Sequence, residues 1–300
     1  MTPQKRDGNE LLGAHVSTQG GVHTALERGR AIGATAIQVF TKTPNQWREP
    51  EIPGSTVREF RKLLAESEIR GVVSHDSYLI NLASPDPLLS RRSTTSFVAE
   101  LRRCRSLGIG AVVSHPGNYI DEREAGLARN ASGYSKCLRA VPGVILLIEG
   151  TAGSGTALGG SFEELAELRE RVAGEVRDRV GFCLDTCHLY SAGYDLVNDY
   201  DGVWEKWDRV VGAGHLRCLH LNDSKTPFGS RRDRHELVAE GSLGASPFRR
   251  IMRDPRFRSI PKILETPKGD DLVSNDRRML RRLRAYARPP RTVVRPDGAE

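Results

Sequence analysis

Nine residues with metal-ligand chemistry recur beside short apolar runs: His75, His115, Glu149, Asp185, His188, His220, Asp233, His235 and Glu265. They comprise five of the eight histidines in the chain, two aspartates and two glutamates. Val73-Ser-His75, Val113-Ser-His115, Leu147-Ile-Glu149, Leu184-Asp185-Thr-Cys-His188, Leu219-His220 and Leu264-Glu265 each close such a run, and Asp233-Arg-His235 follows in a loop. A lone histidine at a strand end is more often an ordinary structural residue. Nine groups converging on one rim are different, because without shared cations many of their polar atoms would be poorly satisfied. Imidazole and carboxylate without thiolate suit zinc, manganese or iron rather than magnesium alone. Nine ligands exceed the need of one tetrahedral ion, and with a bridging carboxylate they fit three. In Asp233-x-His235 the i, i+2 spacing of extended chain points both side chains the same way. A cluster of this kind suits phosphate-ester hydrolysis: it polarises phosphoryl oxygens, makes hydroxide near neutral pH and stabilises the leaving oxygen.

The elements that must position these residues are legible as eight runs: Leu11–Ser17, Ala36–Thr41, Gly71–His75, Ala111–His115, Val144–Glu149, Val180–Asp185, Arg217–Asn222 and Lys262–Thr266. Continuous apolar runs indicate strands buried on both faces, as in a parallel sheet. Helical patterns lie between them. Phe97, Leu101 and Cys104 share one face of Ser96–Leu107. Ser161-Phe-Glu-Glu164 is a capping box, followed by the stripe Phe162, Leu165, Leu168 and Val172, with Gly174 placed to end that helix. Strand–helix alternation at about 36 residues per step, repeated eight times, predicts an α/β fold: a single (β/α)8 TIM barrel with its metal cluster at the C-terminal ends of the strands. The expected domain is 8–287, with 288–300 as a basic tail.

Other chemistries lack their signatures. There is no G-x-G-x-x-G after the first strand, no G-x-x-x-x-G-K-[ST] and no G-x-S-x-G, so no nucleotide cofactor is expected. The five cysteines are odd in number and sit in apolar stretches, which reads as reduced core thiols. The polar first ten residues lack a signal-peptide core, and no run approaches the roughly 18 apolar residues of a membrane span. The expectation is a cytoplasmic, nucleoid-associated protein with no membrane partner. The net charge of +7 is concentrated: eight arginines and no acid lie between Arg277 and Arg295, leaving the rest near neutral. Local cations matter more. Lys42, Arg48, Lys225, Arg231, Arg232 and Arg234 lie in the loops after the second and seventh strands, on the rim that carries the ligands. They suit contacts to a phosphate backbone. Tyr78-Leu79, just past His75, suits either a wedge into a DNA duplex or a lid over the mouth.

Taken together, the sequence closely resembles the endonuclease IV family of apurinic/apyrimidinic endonucleases. The matching segments are Gly13-Ala-His-Val-Ser17, His75-Asp-Ser-Tyr-Leu-Ile-Asn-Leu82, His115-Pro-Gly117, Thr151-Ala-Gly153, Leu184-Asp-Thr-Cys-His188, Ala192-Gly-Tyr-Asp195, His220-Leu-Asn-Asp223, Phe228-Gly-Ser230, Asp233-Arg-His235 and Leu264-Glu-Thr266. They span nearly the whole barrel in the family's order. The resemblance implies a trinuclear zinc site. His75, His115 and Glu149 hold one ion; Glu149, Asp185, His220 and Glu265 hold the second, with Glu149 bridging; His188, Asp233 and His235 hold the third. It implies that a hydroxide held between two ions, positioned by Glu149, attacks the phosphate 5′ of an abasic nucleotide in duplex DNA. The products are a 3′-hydroxyl and a 5′-deoxyribose phosphate, and blocked 3′ ends are also trimmed. Gln46, Tyr78 and Leu79 enter the duplex at the lesion, and the mode of action needs only a monomer. Flipping a nucleotide without a base costs less than the few kcal/mol of an ordinary flip.

Two positions depart from the family pattern: Gly150 stands where Asn is frequent, and Asn45 where some members carry Arg. The main rival is a sugar isomerase or epimerase on the same barrel, which needs only one or two metals. An inactive DNA or metal binder is the other alternative. A third ligand set at His188, Asp233 and His235 and the cationic loops separate the chain from the first. The complete ligand set separates it from the second.

Overall fold

The computed structural model describes residues 10–288. Each apolar run overlaps a strand: β1 (Leu12–His15), β2 (Ala36–Val39), β3 (Gly71–His75), β4 (Ala111–Ser114), β5 (Ile145–Gly150), β6 (Val180–Asp185) and β7 (Leu216–His220). A short antiparallel pair follows, β8 (Asp223–Ser224) with β9 (His235–Glu236), and β10 (Lys262–Leu264) completes the set. The order β1-β10-β7-β6-β5-β4-β3-β2 closes into a barrel of eight parallel strands. The chain is thus a TIM barrel, as the alternation predicts.

Pleating explains how the lumen is filled. Ala36, Val73, Val113, Leu147, Cys183, Cys218 and Ile263, one from each of seven strands, pack into a single inner layer. On β1 the equivalent position is Gly13, where a Cβ would lie 1.6 Å from the Ala36 carbonyl oxygen. Only glycine fits that approach of backbones. The opposite strand faces pack against the helices as a second, larger core that includes Leu12, Ile37, Leu146, Phe182 and Leu264.

The helices of the outer ring are α1 (Thr24–Ile32), α2 (Gly54–Glu66), α3 (Pro87–Leu107), α4 (Arg123–Ala140), α5 (Phe162–Arg171), the short α6 (Gly174–Arg177) and α7 (Thr186–Ala192), α8 (Tyr200–Val210), α9 (Ala245–Arg253) and α10 (Ser274–Ala287). Phe97, Leu101 and Cys104 are buried along α3. The Ser161 hydroxyl caps α5 by accepting from Glu164 N at 3.2 Å. The Glu164 carboxylate reaches past the cap to accept from Gly160 N at 3.1 Å. Gly174 does not end α5. The helix stops at Arg171, because Val172 turns extended to bury its branched side chain, and Gly174 begins α6.

The arginines of α10 are largely tied down. Arg277 donates to the Ala31 carbonyl and Arg284 to the Gly33 carbonyl, both at the C-terminal end of α1. Cations there satisfy orphan carbonyls and oppose the helix dipole. Arg278 and Arg282 pair with Glu240. The expected basic tail, apart from Arg288, lies outside the described residues. Among the described residues, no helix is long and apolar enough to cross a membrane.

Candidate metal centre

Two residues beyond the inner layer, the same alternation places a ring of polar side chains. Val73 is followed by His75, Val113 by His115, Leu147 by Glu149, Cys183 by Asp185, Cys218 by His220 and Ile263 by Glu265. The period of two thus sets six of the nine expected ligands on one level at the C-terminal mouth. The other three arrive by separate routes. His188 sits on α7, one turn after Asp185. Asp233 and His235 come in on the β8–β9 hairpin, whose loop is pinned to α7 by Arg231 N donating to the Ser191 carbonyl and Ser191 Oγ donating to the Arg232 carbonyl, both at 2.9 Å.

All nine converge in three groups: His75 with His115 and Glu149; Glu149 with Asp185, His220 and Glu265; His188 with Asp233 and His235. Within each group the candidate ligand atoms lie within 4.8 Å of one another. Glu149 is fully buried and faces two ways. Its Oε2 is 3.1 Å from both His75 Nε2 and His115 Nε2, and its Oε1 is 3.1 Å from His220 Nδ1. Asp233 divides likewise, with Oδ2 3.2 Å from His188 Nε2 and Oδ1 3.1 Å from His235 Nε2.

A second set of contacts orients the ring nitrogens. His75 Nδ1 lies 3.0 Å from the Asp76 carbonyl, His188 Nδ1 2.9 Å from the Gly150 carbonyl, and His235 Nδ1 3.2 Å from the Glu265 carbonyl. Each therefore turns Nε2 towards a carboxylate. Such contacts fix tautomer and ring orientation at metal sites. Asp185 has two tasks: Oδ1 caps α7 by accepting from Cys187 N and His188 N, while Oδ2 accepts from Asn222 Nδ2 at 2.6 Å.

Two residues of the site escape a reading of the sequence. Gln38 is fully buried on β2, two residues beyond Ala36. Its Nε2 donates to Glu265 Oε1 at 2.6 Å, and its Oε1 lies 2.9 Å from His220 Nε2. Asn222, also buried, joins Asp185 to the backbone of Glu265. The available signal was positional: Gln38 is a lone amide in the apolar stretch of β2 at the level of the ligands, and Asn222 stands one alternation beyond His220.

The electrostatics are those of ligands held together. Burial disfavours the imidazolium of His75, yet Glu149 outweighs it and holds His75 up at about 9. His188 is likewise held at about 10 and His235 at about 9, against burial, by Asp185 and Asp233. Glu149 stays well below the usual carboxylate range, because His220 and His115 overcome its burial. His235 Nε2 is buried and, although 3.1 Å from Asp233 Oδ1, makes no well-aligned hydrogen bond, as expected of an atom reserved for a cation. The donor set, imidazole and carboxylate in three compact groups, fits zinc. Cys183 and Cys218 also lie beside His220, within the inner layer.

Around the mouth, Gln46, Arg48, Lys225, Arg231, Arg232 and Arg234 line the loops, and all six are exposed. Tyr78 is 69 % exposed and packs edge-on against Phe40, while Leu79 beside it is half-buried. Lys42 is not a rim cation. It is buried, with Nζ 2.8 Å from Glu49 Oε1 and 2.6 Å from the Gln46 carbonyl, so it holds the loop rather than facing solvent. Asn45 is exposed at the loop tip. The Gly150 departure leaves the ligands' orientation to the backbone, through the carbonyl that receives His188. A Cβ at Gly150 would instead meet Leu184 Cδ2 at 2.9 Å and Leu165 Cδ1 at 3.5 Å.

A closed parallel barrel with imidazole–carboxylate groups at its mouth defines a metal-dependent TIM-barrel enzyme. The chain matches the family model described as a xylose isomerase-like TIM barrel over residues 26–283. The probable endonuclease 4 of Geobacter sulfurreducens is 46 % identical over 270 residues, 88 % of this chain and 90 % of its own length. The crystal structure of endonuclease IV from Thermus thermophilus superposes with a TM-score of 0.82 at 38 % identity, covering 92 % of this chain and 98 % of that one. By contrast, D-psicose 3-epimerase from Clostridium cellulolyticum is 15 % identical with a TM-score of 0.61, over 92 % of this chain and 95 % of that one, and shares the fold alone. The chain belongs to the endonuclease IV family and is an endonuclease IV-type enzyme.

Proposed function

We propose that this protein repairs DNA by hydrolysing the phosphodiester 5′ of abasic sites in duplex DNA, leaving a 3′-hydroxyl and a 5′-deoxyribose phosphate, and that it also trims blocked 3′ ends. The observation that carries the reading is the double-faced Glu149. Its two oxygens serve different histidine sets, an arrangement that suits a carboxylate shared between two cations. Zinc would be held by His75, His115 and Glu149, by Glu149, Asp185, His220 and Glu265, and by His188, Asp233 and His235. Three such ions supply Lewis-acid charge for the phosphoryl oxygens and lower the pKa of bound water towards neutrality.

The chain's own residues do the rest. The carbonyls of Asp76, Gly150 and Glu265, with Gln38, keep the histidine rings in one orientation. Gln46, Tyr78 and Leu79 stand at the mouth where a nucleotide must leave the stack, and a nucleotide without a base leaves it most cheaply. Arg48, Lys225, Arg231 and Arg234 reach solvent on the same rim and suit backbone phosphates. Nothing in this arrangement calls for a second subunit, so the active form is a monomer.

The test is incision of a labelled duplex carrying one synthetic abasic site, beside an undamaged duplex, by protein as purified and after stripping with a strong zinc chelator. The reading expects cutting only 5′ of the lesion, lost on stripping and restored by zinc. Absence of cutting by zinc-replete protein overturns it.

A further inference from the structure

The loop bearing Gln46 is anchored by a largely buried, charge-balanced network that includes none of the nine candidate metal ligands. Glu100 and Arg103, both buried on α3, form its base. Glu100 Oε2 accepts from Arg103 Nη2 at 2.7 Å and from Thr41 Oγ1 at 2.6 Å, and Arg103 Nε donates to Thr41 Oγ1 at 2.7 Å. Arg103 Nη1 continues to Glu49 Oε2 at 2.7 Å. Glu49 Oε1 then accepts from Lys42 Nζ at 2.8 Å and from Ser96 Oγ. Lys42 Nζ ends the chain of contacts on the Gln46 carbonyl at 2.6 Å. At its other end, Glu100 Oε1 accepts from Ser74 Oγ, the neighbour of His75. Ser77 Oγ donates to the Pro44 carbonyl, tying the Tyr78–Leu79 loop to the same segment.

Two cations and two anions are thus held in one chain of hydrogen bonds, with one end beside a candidate ligand and the other on the Gln46 loop. Lys42, Glu100 and Arg103 are buried and Glu49 is partly so, and burying charges is costly unless each is paired and hydrogen-bonded. A plain surface loop would be anchored more cheaply by apolar contacts, as the neighbouring helices are. The network's distinctive output is the position of one exposed amide and its loop relative to the mouth.

We propose that Lys42, Glu49 and Arg103 are positioning residues that preset the Gln46 loop for the damaged duplex, and so set how well the enzyme engages a lesion. This rests on the proposed action at abasic sites. Because the loop is held before DNA arrives, ordering it does not have to be offset by binding energy.

The experiment compares wild type with Glu49→Gln, Lys42→Met and Lys42→Arg, each zinc-loaded and checked for zinc content and melting temperature. Steady-state incision is measured on duplexes with one abasic site, together with the fluorescence of a purine analogue opposite the lesion, which reports entry into the duplex. Glu49→Gln and Lys42→Met are expected to raise KM about tenfold while kcat stays within about twofold, to dampen the fluorescence change and to keep full zinc. Lys42→Arg, which retains a cationic donor, is expected to restore much of the KM. Unchanged KM and fluorescence in both disruptive variants overturns the proposal, as does a loss confined to zinc content or kcat. If wild type itself does not incise abasic DNA, the functional reading fails first. If wild type incises and the variants match it, only this inference fails.

Discussion

His220 Nε2 lies 2.9 Å from the side-chain oxygen of Gln38, and this contact decides which ring nitrogen is offered to the cluster. With Nε2 engaged, Nδ1 faces Glu149 at 3.1 Å and Glu265 at 3.2 Å. Gln38 also donates to Glu265, so one amide orients two candidate ligands of the central group. Orienting partners of this kind are typically worth about 10- to 100-fold in metal affinity or activity. Gln38→Ala should therefore lower zinc affinity by about that factor while circular dichroism stays that of the wild type. A competitive chelator titration measures it.

Glu149→Gln should do more damage than any other single carboxamide substitution. The neutral amide cannot serve as an anion to His75, His115 and His220 together. The expectation is loss of at least one bound zinc and a fall in incision of at least about 100-fold. Metal analysis and single-turnover incision on the same sample check both parts.

The pH behaviour follows from the raised histidines. In chelator-stripped protein His75 and His235 titrate near 9 and His188 near 10, against an ordinary value of 6.5. A raised folded-state value means that the pairing stabilises the fold fully below pH about 6.5, and that this contribution is lost as pH rises through about 9–10. Stripped protein should therefore lose melting temperature across that window, while zinc-loaded protein should not follow it. His220 is likewise raised well above its ordinary value, so zinc uptake at pH 7 should expel roughly four protons, because zinc ligates the neutral imidazole. Calorimetry in buffers of different ionisation enthalpy counts them.

How much of this is legible in the sequence follows from locality. The barrel and its ligand ring arise from a period of two within single strands, so Val73 and His75, or Leu147 and Glu149, disclose their level from the sequence alone. Gln38 obeys the same period, but a lone amide between Ile37 and Val39 carries no chemical signature of its partners. Lys42 is hidden for a different reason. Its charge suggests solvent, whereas its burial is decided by Glu49 and, through Arg103 and Glu100, by a helix some sixty residues further on. Glycine favours the end of a helix, which makes Gly174 the expected stop, but Val172 has already turned into the core.

Gly150 offers a packing test. Restoring asparagine there places a Cβ 2.9 Å from Leu184 Cδ2, so the buried Leu184 side chain must shift to admit it. Gly150→Asn should cost about 1–3 kcal/mol of stability and give no gain in incision. Denaturant melts and a rate assay together distinguish this from a missing phosphate contact, which would raise the rate.

The exposed rim cations predict a salt dependence. Replacing Arg231 or Arg234 by alanine should reduce the slope of log affinity against log salt by about 1 each, whereas Lys42→Met should leave the slope unchanged because its charge already faces Glu49. Fluorescence anisotropy across a salt series measures it.

Incision of single-abasic-site duplex as a function of zinc restored to stripped protein, with bound zinc counted at each point, bears most directly on the trinuclear reading. The expected result is cutting solely 5′ of the lesion, with activity reaching its plateau as the third zinc binds. Full activity at one bound zinc, or three bound zincs with no incision of abasic DNA, would contradict it.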